Sequence, residues 1–331
     1  MSISDNQKQI LSLLADGQFH SGTELSDILG VSRSAIWKHM QFLASVGLPY
    51  SAVSGKGYRL EKPLELLATH KLGQVLNNQA KSLISSLEIH QQIDSTNRYL
   101  SERAQNHAPS GSICLAEHQT AGKGRRGRQW VSPFGSNIYL SILWRFQQGP
   151  AGISGLSLAI GVAVIRALKI YGIDSLGLKW PNDIYSLGKK FGGILVEVSG
   201  ETGGPCVAVI GLGLNMYLPE SEAEGITQAW TDLNKITGRN DLARNKLAGL
   251  LLNELMPIIA EFESLGIKAY LDEWRDYDCL KQKAATLYIA NQPFDGIVQG
   301  IDDNGMLLIK RPDGSVQTFA SGEVSFNDSL S

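Results

Sequence analysis

A basic, glycine-rich segment limits the possible chemistry of this chain more than any other stretch. Residues 119–130 read Gln-Thr-Ala-Gly-Lys-Gly-Arg-Arg-Gly-Arg-Gln-Trp, with four cations among three glycines. Glycine lets a backbone approach a ligand closely, and lysine and arginine supply fixed positive charge. The spacing matches neither a Walker phosphate loop nor a Rossmann fingerprint. Three interpretations are open at this point: a solvated basic loop, contact with nucleic acid, or binding of a phosphate or carboxylate.

Four further polar segments stand at the ends of apolar runs in the middle of the chain. They are residues 94–97 (Asp-Ser-Thr-Asn), 179–183 (Lys-Trp-Pro-Asn-Asp), 190–197 (Lys-Phe-Gly-Gly-Ile-Leu-Val-Glu) and 211–215 (Gly-Leu-Gly-Leu-Asn).

Length and composition restrict the class of protein. A chain of 331 residues exceeds a usual single core, so we expect two or three domains. The net charge of -2 and 43% hydrophobic residues are typical of an ordinary globular protein, so any contact with DNA must be local. Cys114, Cys206 and Cys279 are odd in number and lack CxxC spacing, which predicts neither disulfides nor a zinc site.

The expected location is a reducing cytoplasm. The N-terminus has no basic-then-apolar signal pattern. The longest apolar stretch, residues 153–170, contains Arg166 and Lys169, too soon for a membrane span. We therefore predict a buried helix there and no association with a membrane.

The N-terminal residues 1–62 have the pattern of a winged helix-turn-helix. Apolar positions in residues 7–46 recur at helical spacing and predict three short helices. Residues 29–33 form a glycine turn in which Ser32 is placed to cap the third helix. Residues 48–60 then predict two short strands around the turn Gly55-Lys56-Gly57.

Charge is divided unevenly within this unit. Residues 1–30 hold one cation and four acids, a net charge of 1 - 4 = -3, whereas residues 31–60 hold four cations and no acid. DNA phosphates would therefore lie on the presumed recognition helix and wing. An alternative is a domain that makes only protein contacts. The predicted DNA-contacting residues are Gly22, Ser32, Arg33, Ser34, Trp37, Lys38, Lys56 and Arg59.

The rest of the chain divides into a connector and two domains. Residues 63–85 predict the connector. In residues 86–276, strands at 113–116, 138–143, 194–198 and 207–210 alternate with helices at 156–170 and 244–265, which predicts one α/β domain. Residues 277–331 predict a small β-barrel from short strands and Asp/Asn/Gly turns at 302–305 and 312–314.

The five polar segments and the preceding winged unit, in this order, resemble bacterial biotin protein ligases, in particular the bifunctional ligases that also repress biotin synthesis. The resemblance implies a class II synthetase-like mixed sheet and an SH3-like C-terminal barrel. It also implies two reaction steps. Biotin and ATP form biotinyl-5'-AMP and pyrophosphate, and biotin then passes to one lysine of a biotin carboxyl carrier protein. Mg²⁺ is implied on the phosphates, with no dedicated metal site.

The resemblance also implies regulation: biotinyl-5'-AMP would act as corepressor and favour a homodimer on a palindromic operator. Two alternatives stay open. A lipoate or octanoate transferase shares the catalytic fold, but the basic loop and residues 179–183 favour biotin. An inactive, biotin-sensing DNA-binding regulator would not need Lys190 and Arg125, which are both present.

Lys190, Arg125 and Asp183 are the catalytic candidates. A biotin carboxylate and an α-phosphate are both anionic, so their reaction needs preorganised positive charge, which the compact ammonium of Lys190 would supply. An ordinary surface lysine is the alternative. Asp183 would either polarise the incoming substrate lysine or orient Lys190 or a loop backbone.

The remaining site residues follow from the resemblance and from their side-chain chemistry. Short polar side chains suit the ureido ring of biotin, although Ser95 and Thr96 could instead cap an element, and Trp130 and Trp230 could be core residues. The predicted biotin site is Ser95, Thr96, Asn97, Gln119, Gly122, Lys123, Arg125, Lys190, Gly193, Gly211 and Leu214. The predicted nucleotide site is Lys123, Arg125, Arg128, Trp130, Asn182, Lys190, Asn215 and Trp230.

By the same resemblance, residues 122–130 form a mobile lid that closes over the adenylate. The family commonly has arginine at the position of Lys123, and lysine lacks the bidentate fork of arginine, so we expect weaker retention of the intermediate. For the C-terminal domain, with Gly296, Gly300 and Gly322-Glu323 near its turns, support of ATP binding and acceptor docking and a packing-only role are both open.

Overall fold

The computed structural model describes residues 4–290 and 292–326. Serine begins each helix of the N-terminal unit: the side chains of Ser4, Ser21 and Ser32 accept hydrogen bonds from backbone N–H groups three residues on. This N-capping satisfies donors that a helix start leaves unpaired. The elements are α1 (Asp5–Leu14), α2 (Gly22–Leu29), α3 (Arg33–Ser45), β1 (Tyr50–Val53) and β2 (Gly57–Leu60).

The apolar faces of these three helices form one core, and β1 pairs antiparallel with β2. The predicted winged helix-turn-helix is confirmed. Gly30 ends α2 in the left-handed conformation at φ 65°, which an L side chain rarely adopts. One residue from far along the chain, Phe134, is also buried in this core. The winged unit therefore packs directly against the segment that follows the basic loop.

The predicted connector contains two short helices, α4 (Thr69–Val75) and α5 (Asn78–Leu83). Both pack against the long helix α9 (Arg244–Leu265) of the central domain. A Cβ at Gly249 would lie 2.6 Å from Val75 Cβ, so only glycine lets α4 approach this closely. The segment is held firmly against the central domain.

The central domain is built on a seven-stranded mixed sheet with the order β3-β4-β5-β9-β8-β7-β6. Only β3 and β4 are parallel neighbours. All four predicted strands are present, and the mixed sheet is confirmed. The strands are β3 (Ser86–His90), β4 (Ser112–Ala116), β5 (Ile138–Phe146), β6 (Gly177–Lys179), β7 (Asp183–Ser186), β8 (Lys189–Gly200) and β9 (Cys206–Leu214).

Helices cover this sheet. The two predicted helices appear as α7 (Leu156–Tyr171) and α9, which pack on each other. The others are α6 (Thr96–Gln105), α8 (Leu233–Thr237) and α10 (Leu271–Asp276). Among the described residues, one stretch, Pro150–Tyr171, is long and apolar enough to cross a membrane, but 67% of its apolar window is buried inside the fold. It packs as a core helix, as predicted.

The C-terminal domain is a five-stranded antiparallel sheet with the order β13-β12-β11-β10-β14. Its strands are β10 (Ala284–Ile289), β11 (Gln292–Ile301), β12 (Leu307–Lys310), β13 (Val316–Phe319) and β14 (Glu323–Phe326). A small antiparallel β-domain is thus confirmed. The domain limits at residues 62, 85 and 276 stay predictions, and residues 1–3, 291 and 327–331 lie outside the described part of the chain.

Candidate functional site

The polar segments identified in the sequence meet at one cavity over the central sheet. Its walls come from the start of α6, the basic loop, the β6–β7 hairpin, and strands β8 and β9. The predicted residues that line it are Ser95, Thr96, Asn97, Gln119, Lys123, Arg125, Arg128, Trp130, Asn182, Asp183, Lys190, Gly193 and Gly211. The interpretation of the basic loop as a solvated or nucleic-acid-binding segment is therefore disfavoured.

One end of the cavity is a buried network of short polar side chains. The backbone N and Oγ1 of Thr96 lie 2.9 and 3.1 Å from Gln119 Oε1, and Gln119 Nε2 donates to Ser132 Oγ at 3.0 Å. Ser141 Oγ lies 2.7 Å from Thr96 Oγ1 and donates to Asn97 Oδ1 at 2.6 Å. Because the network offers both donors and acceptors, it can satisfy a cyclic urea that has both.

Sequence reasoning missed Ser141, although a serine inside the apolar run of β5 was a visible signal. Ser95 caps α6 by accepting from Arg98 N at 3.4 Å, so the capping alternative holds for its hydroxyl. Ser95, Thr96 and Asn97 are all buried. Capping by Ser95 fixes the direction in which the next two side chains leave the helix.

A second group missed by sequence reasoning is Glu197, which links this network to the basic loop. Asn97 Nδ2 donates to Glu197 Oε2 at 2.8 Å, and Lys123 Nζ donates to Glu197 Oε1 at 3.0 Å. Glu197 lies on β8, within one of the polar segments, but its role could not be read before the fold placed β8 beside α6. Lys123 therefore contacts protein in this structure.

Another part of the cavity holds Lys190, Asp183 and Arg125. Lys190 Nζ lies 2.8 Å from Asp183 Oδ1, and the two side chains are only 15% and 17% exposed. A register shift between Ile184 and Tyr185 interrupts the β7–β8 pairing beside Lys190. Arg125 Nη1 donates to Asn182 Oδ1 at 2.8 Å, and Asn182 Nδ2 donates to the carbonyl of Ile194 at 2.8 Å. Burial lowers the pKa of Arg125, the direction expected for a cation withdrawn from water.

Glycines make room for the side chains of this site. A Cβ at Gly211 would lie 2.2 Å from Asn97 Oδ1, and one at Gly213 would lie 2.5 Å from Trp130 Cε2. A Cβ at Gly193 would lie 3.2 Å from Cζ3 of the same ring. The Trp130 indole therefore lies over these two glycines. Its Nε1 is buried and has no partner among the described residues.

The basic loop is folded back on itself. Lys123 and Gln129 form an isolated antiparallel β-bridge, and Gly124 N donates to the carbonyl of Arg128 at 2.7 Å. Arg126, between them, adopts a left-handed φ of 56°. The loop also contacts the C-terminal domain, because Arg126 and Arg128 both pair with Glu323. That domain therefore contributes a wall of the cavity.

The other predicted site residues lie around the edge of this cavity. Asn215 and Trp230 line a neighbouring open cavity, where Asn215 Nδ2 donates to the carbonyl of Thr231 at 3.3 Å. Leu214 is fully buried beneath Gly192. Gly122 lies at the base of the loop, with no space for a Cβ next to Trp130 O.

In the winged unit, the predicted DNA-contacting residues lie at the start of α2, along α3 and on the wing. Trp37 is 52% exposed and Lys38 is exposed, while Lys56 lies in the β1–β2 turn. Arg59 stacks 4.6 Å from the Phe19 ring centroid, and Arg33 Nη2 donates to Thr23 Oγ1. Ser32 caps α3 beside Ser34, and Gly22 begins α2. Their contacts with DNA stay predictions.

Comparisons with known proteins agree with this architecture. The Biotin/lipoate A/B protein ligase family matches residues 89–215, an HTH domain matches residues 6–59, and the Biotin protein ligase C terminal domain matches residues 285–327. The chain is 42% identical over 318 residues, 96% of each protein, to the bifunctional ligase/repressor BirA of Salmonella typhimurium. It belongs to the family of bifunctional biotin ligase/repressors.

Other members of the family are more distant. The BirA of Bacillus subtilis is 30% identical over 324 residues, which cover 95% of this chain and 97% of that protein. Among solved structures, the biotin protein ligase from Aquifex aeolicus in complex with biotin and ATP is similar, with a TM-score of 0.62 and 27% identity. The match covers 74% of this chain and 99% of the Aquifex aeolicus chain. About a quarter of this chain therefore has no counterpart in that structure.

A buried ion pair lies where the connector meets the ligase domain. Arg244 Nη1 lies 2.7 Å from Glu117 Oε2, and the two side chains are 5% and 0% exposed. Glu117 Oε1 also accepts from Leu67 N at 2.5 Å, and Arg244 donates to the carbonyls of Glu65 and Asn137. Sequence reasoning missed this pair, which ties the connector to the strand end that leads into the basic loop.

Proposed function

We propose that this chain joins biotin to a lysine of a carrier protein at the expense of ATP, and that it also represses transcription. Membership of the ligase/repressor family supports both activities. The observation that carries the enzymatic part is the buried pair of Lys190 and Asp183, which lines one cavity with Arg125 and the polar network around Thr96. One end of the cavity suits a cyclic urea, and the other suits two anions brought together.

In the first step, a carboxylate oxygen of biotin forms a bond to the α-phosphorus of ATP. The bond from that phosphorus to the bridging oxygen breaks, and pyrophosphate leaves with the electron pair. Both reactants are anionic, so the main need is preorganised positive charge in a site shielded from water. Lys190 and Arg125 supply this charge. The 2.8 Å ion pair supports Asp183 as the residue that orients Lys190.

In the second step, the neutral amine of the acceptor lysine attacks the acyl carbon of biotinyl-5'-AMP. An amide bond forms, AMP departs with the electrons of the acyl–oxygen bond, and the nitrogen loses one proton to water. The basic loop covers the cavity and slows hydrolysis of the mixed anhydride, and its ion pairs with Glu323 give the C-terminal domain a part in this closure. We propose the same residues for biotin and nucleotide binding as the sequence predicted.

Mg²⁺ would arrive with ATP and balance the charge of its phosphates. Among residues 4–290 and 292–326, no group of three or more His, Cys, Asp or Glu side chains could hold a metal ion. The oxygen atoms of Asn182 and Asp183 line the charged end of the cavity and fit a phosphate-borne ion better than an all-protein cage.

For regulation, we propose that biotinyl-5'-AMP favours a homodimer whose two winged units bind a palindromic operator in the cytoplasm. The exposed Trp37 and Lys38 on α3 and Lys56 on the wing support contact with DNA. If the protein bound its partners only through the ligase domain, the exposed basic surface of α3 and the wing would have no role.

Pyrophosphate release separates the candidate functions. The protein is incubated with ATP and with biotin, lipoate or octanoate, and a biotin carboxyl carrier domain is then added. We expect pyrophosphate and acceptor labelling with biotin, and a loss of both of at least about 100-fold in Lys190→Ala, with Lys189→Ala as the matched control. A signal with lipoate alone would overturn the assignment. Operator binding at fixed salt, measured with and without biotin plus ATP, tests the repressor.

A further inference from the structure

Lys179 is a buried cation whose role is not explained by the adenylate site. It ends β6, is 8% exposed, and has no carboxylate within 4.0 Å among the described residues. Its Nζ donates to Tyr185 Oη at 3.2 Å and lies 5.1 and 5.0 Å from the ring centroids of Tyr185 and Phe326. Burial lowers the pKa of Lys179. Asp183, the cross-strand neighbour of Lys179, acts on this pKa in the opposite direction, but its ion pair is with Lys190. Burying an ammonium without an ion pair of its own is costly, and aromatic faces offset only part of that cost.

A second lysine shares one of these aromatic rings. Lys283 Nζ lies 5.3 Å from the Phe326 ring centroid, so the ring carries two cations. Both lysines line an open cavity of about 920 Å³, together with Arg128 and Lys190. The carboxylate in this lining, Glu323, is already paired with the basic loop. The cavity therefore has an excess of positive charge.

This cavity opens from the charged end of the adenylate site. Lys179, Lys190 and Arg128 line both cavities. Thr96, Asn97 and Gln119 of the urea-binding end line only the first cavity. Lys283 and Phe326 line only the second. In phosphoryl transfer the attacking and leaving oxygens are roughly in line. A carboxylate that enters from the urea-binding end and reacts beside Lys190 therefore expels its leaving group toward Lys179.

We propose that Lys179, assisted by Lys283, binds the pyrophosphate that leaves in the first step. The inference rests on the proposed function. As the carboxylate–phosphorus bond forms and the bond to the leaving oxygen breaks, the negative charge that develops on pyrophosphate is balanced by the ammonium of Lys179. The second step releases AMP and does not involve pyrophosphate. Lys179 therefore acts in one half-reaction only.

The test separates the two half-reactions in the full-length protein. The variants are Lys179→Met, which keeps the length of the side chain without its charge, and Lys179→Arg, with exposed Lys281→Met as the matched control. The reverse reaction is measured by titrating pyrophosphate against preformed biotinyl-5'-AMP and following ATP formation. We expect Lys179→Met to raise the half-saturating pyrophosphate concentration about 10- to 100-fold, the loss of one charge-assisted contact. Lys179→Arg should keep most of the affinity.

Transfer of biotin from supplied biotinyl-5'-AMP to the carrier domain is measured on the same proteins. We expect Lys179→Met to stay within about twofold of the unmodified chain, because no pyrophosphate is involved. Unchanged pyrophosphate saturation, or equal damage to both half-reactions, would overturn the inference. If Lys179→Met fails to fold, Lys283→Met tests the inference instead. It must raise the half-saturating pyrophosphate concentration about threefold relative to Lys281→Met. An unmodified chain that forms no adenylate would refute the proposed function itself.

Discussion

Glu197 provides the most direct test of how the loop is joined to the biotin end of the cavity. Its two carboxylate oxygens accept from different partners, Asn97 at 2.8 Å and Lys123 at 3.0 Å. Asn97 belongs to the buried polar network, and Lys123 belongs to the loop. Removal of Glu197 should therefore loosen both at once, whereas removal of Lys123 should loosen only the loop.

The two contacts differ in strength. The side chains of the Lys123–Glu197 ion pair are 34% and 36% exposed. Because solvent screens a pair this exposed, we expect it to contribute about 0.5 kcal/mol to holding the loop closed. The charge-assisted bond from Asn97 contributes about 1.5 kcal/mol. Glu197→Ala should then speed the release of biotinyl-5'-AMP about 30-fold, and Lys123→Met only about twofold.

The assay is a chase. Biotinyl-5'-AMP is formed on the enzyme, excess unlabelled biotin and ATP are added, and the release of labelled adenylate is followed. Glu201→Ala, at an exposed position just past β8, is the matched control. Lys123→Arg should slow release, because the guanidinium fork can reach Glu197 and a phosphate together. If Lys123→Met releases adenylate as fast as Glu197→Ala, Lys123 contributes more to adenylate retention than its ion pair with Glu197 allows, and the ranking of the two contacts is wrong. An unchanged rate in Lys123→Arg contradicts the weaker retention predicted for lysine.

Three further perturbations follow from buried groups. Arg244→Met should lower the free energy of unfolding by about 3 to 5 kcal/mol in urea titrations, because it leaves Glu117 charged and buried; a loss below about 1 kcal/mol would show that the pair contributes little. Gly211→Ala should raise the KM for biotin at least about tenfold, since its Cβ displaces Asn97; an unchanged KM would argue against Asn97 as a ligand. Burial lowers the pKa of His118 below its ordinary 6.5, so the unfolded chain binds the proton first and stability falls as the pH drops below 6.5. In His118→Phe, the Tm should therefore fall less as the pH is lowered below 6.5. If the dependence of Tm on pH is unaltered, His118 is not the source of the loss.

The sequence by itself determined the elements with strong local signals. Helix α9 begins and ends at the predicted residues 244 and 265, and the serine caps and glycine turn of the winged unit follow from local hydrogen bonding and backbone preference. The polar segments at the ends of apolar runs were also visible in the sequence. The family assignment rests on the order of these segments and is confirmed.

Only the tertiary structure decided which of these groups meet. The pairs of Glu197 with Lys123, and of Glu117 with Arg244, join residues 74 and 127 positions apart in the chain, and no local pattern predicts such contacts. The connector showed an amphipathic segment up to Leu76, but nothing in its sequence identified α9 as the helix that α4 and α5 pack against. The cavity around Lys179 combines strand β6 with Lys283 and Phe326 of the C-terminal domain. Local preference acts over a few residues, whereas burial and charge pairing depend on how distant strands and domains are packed.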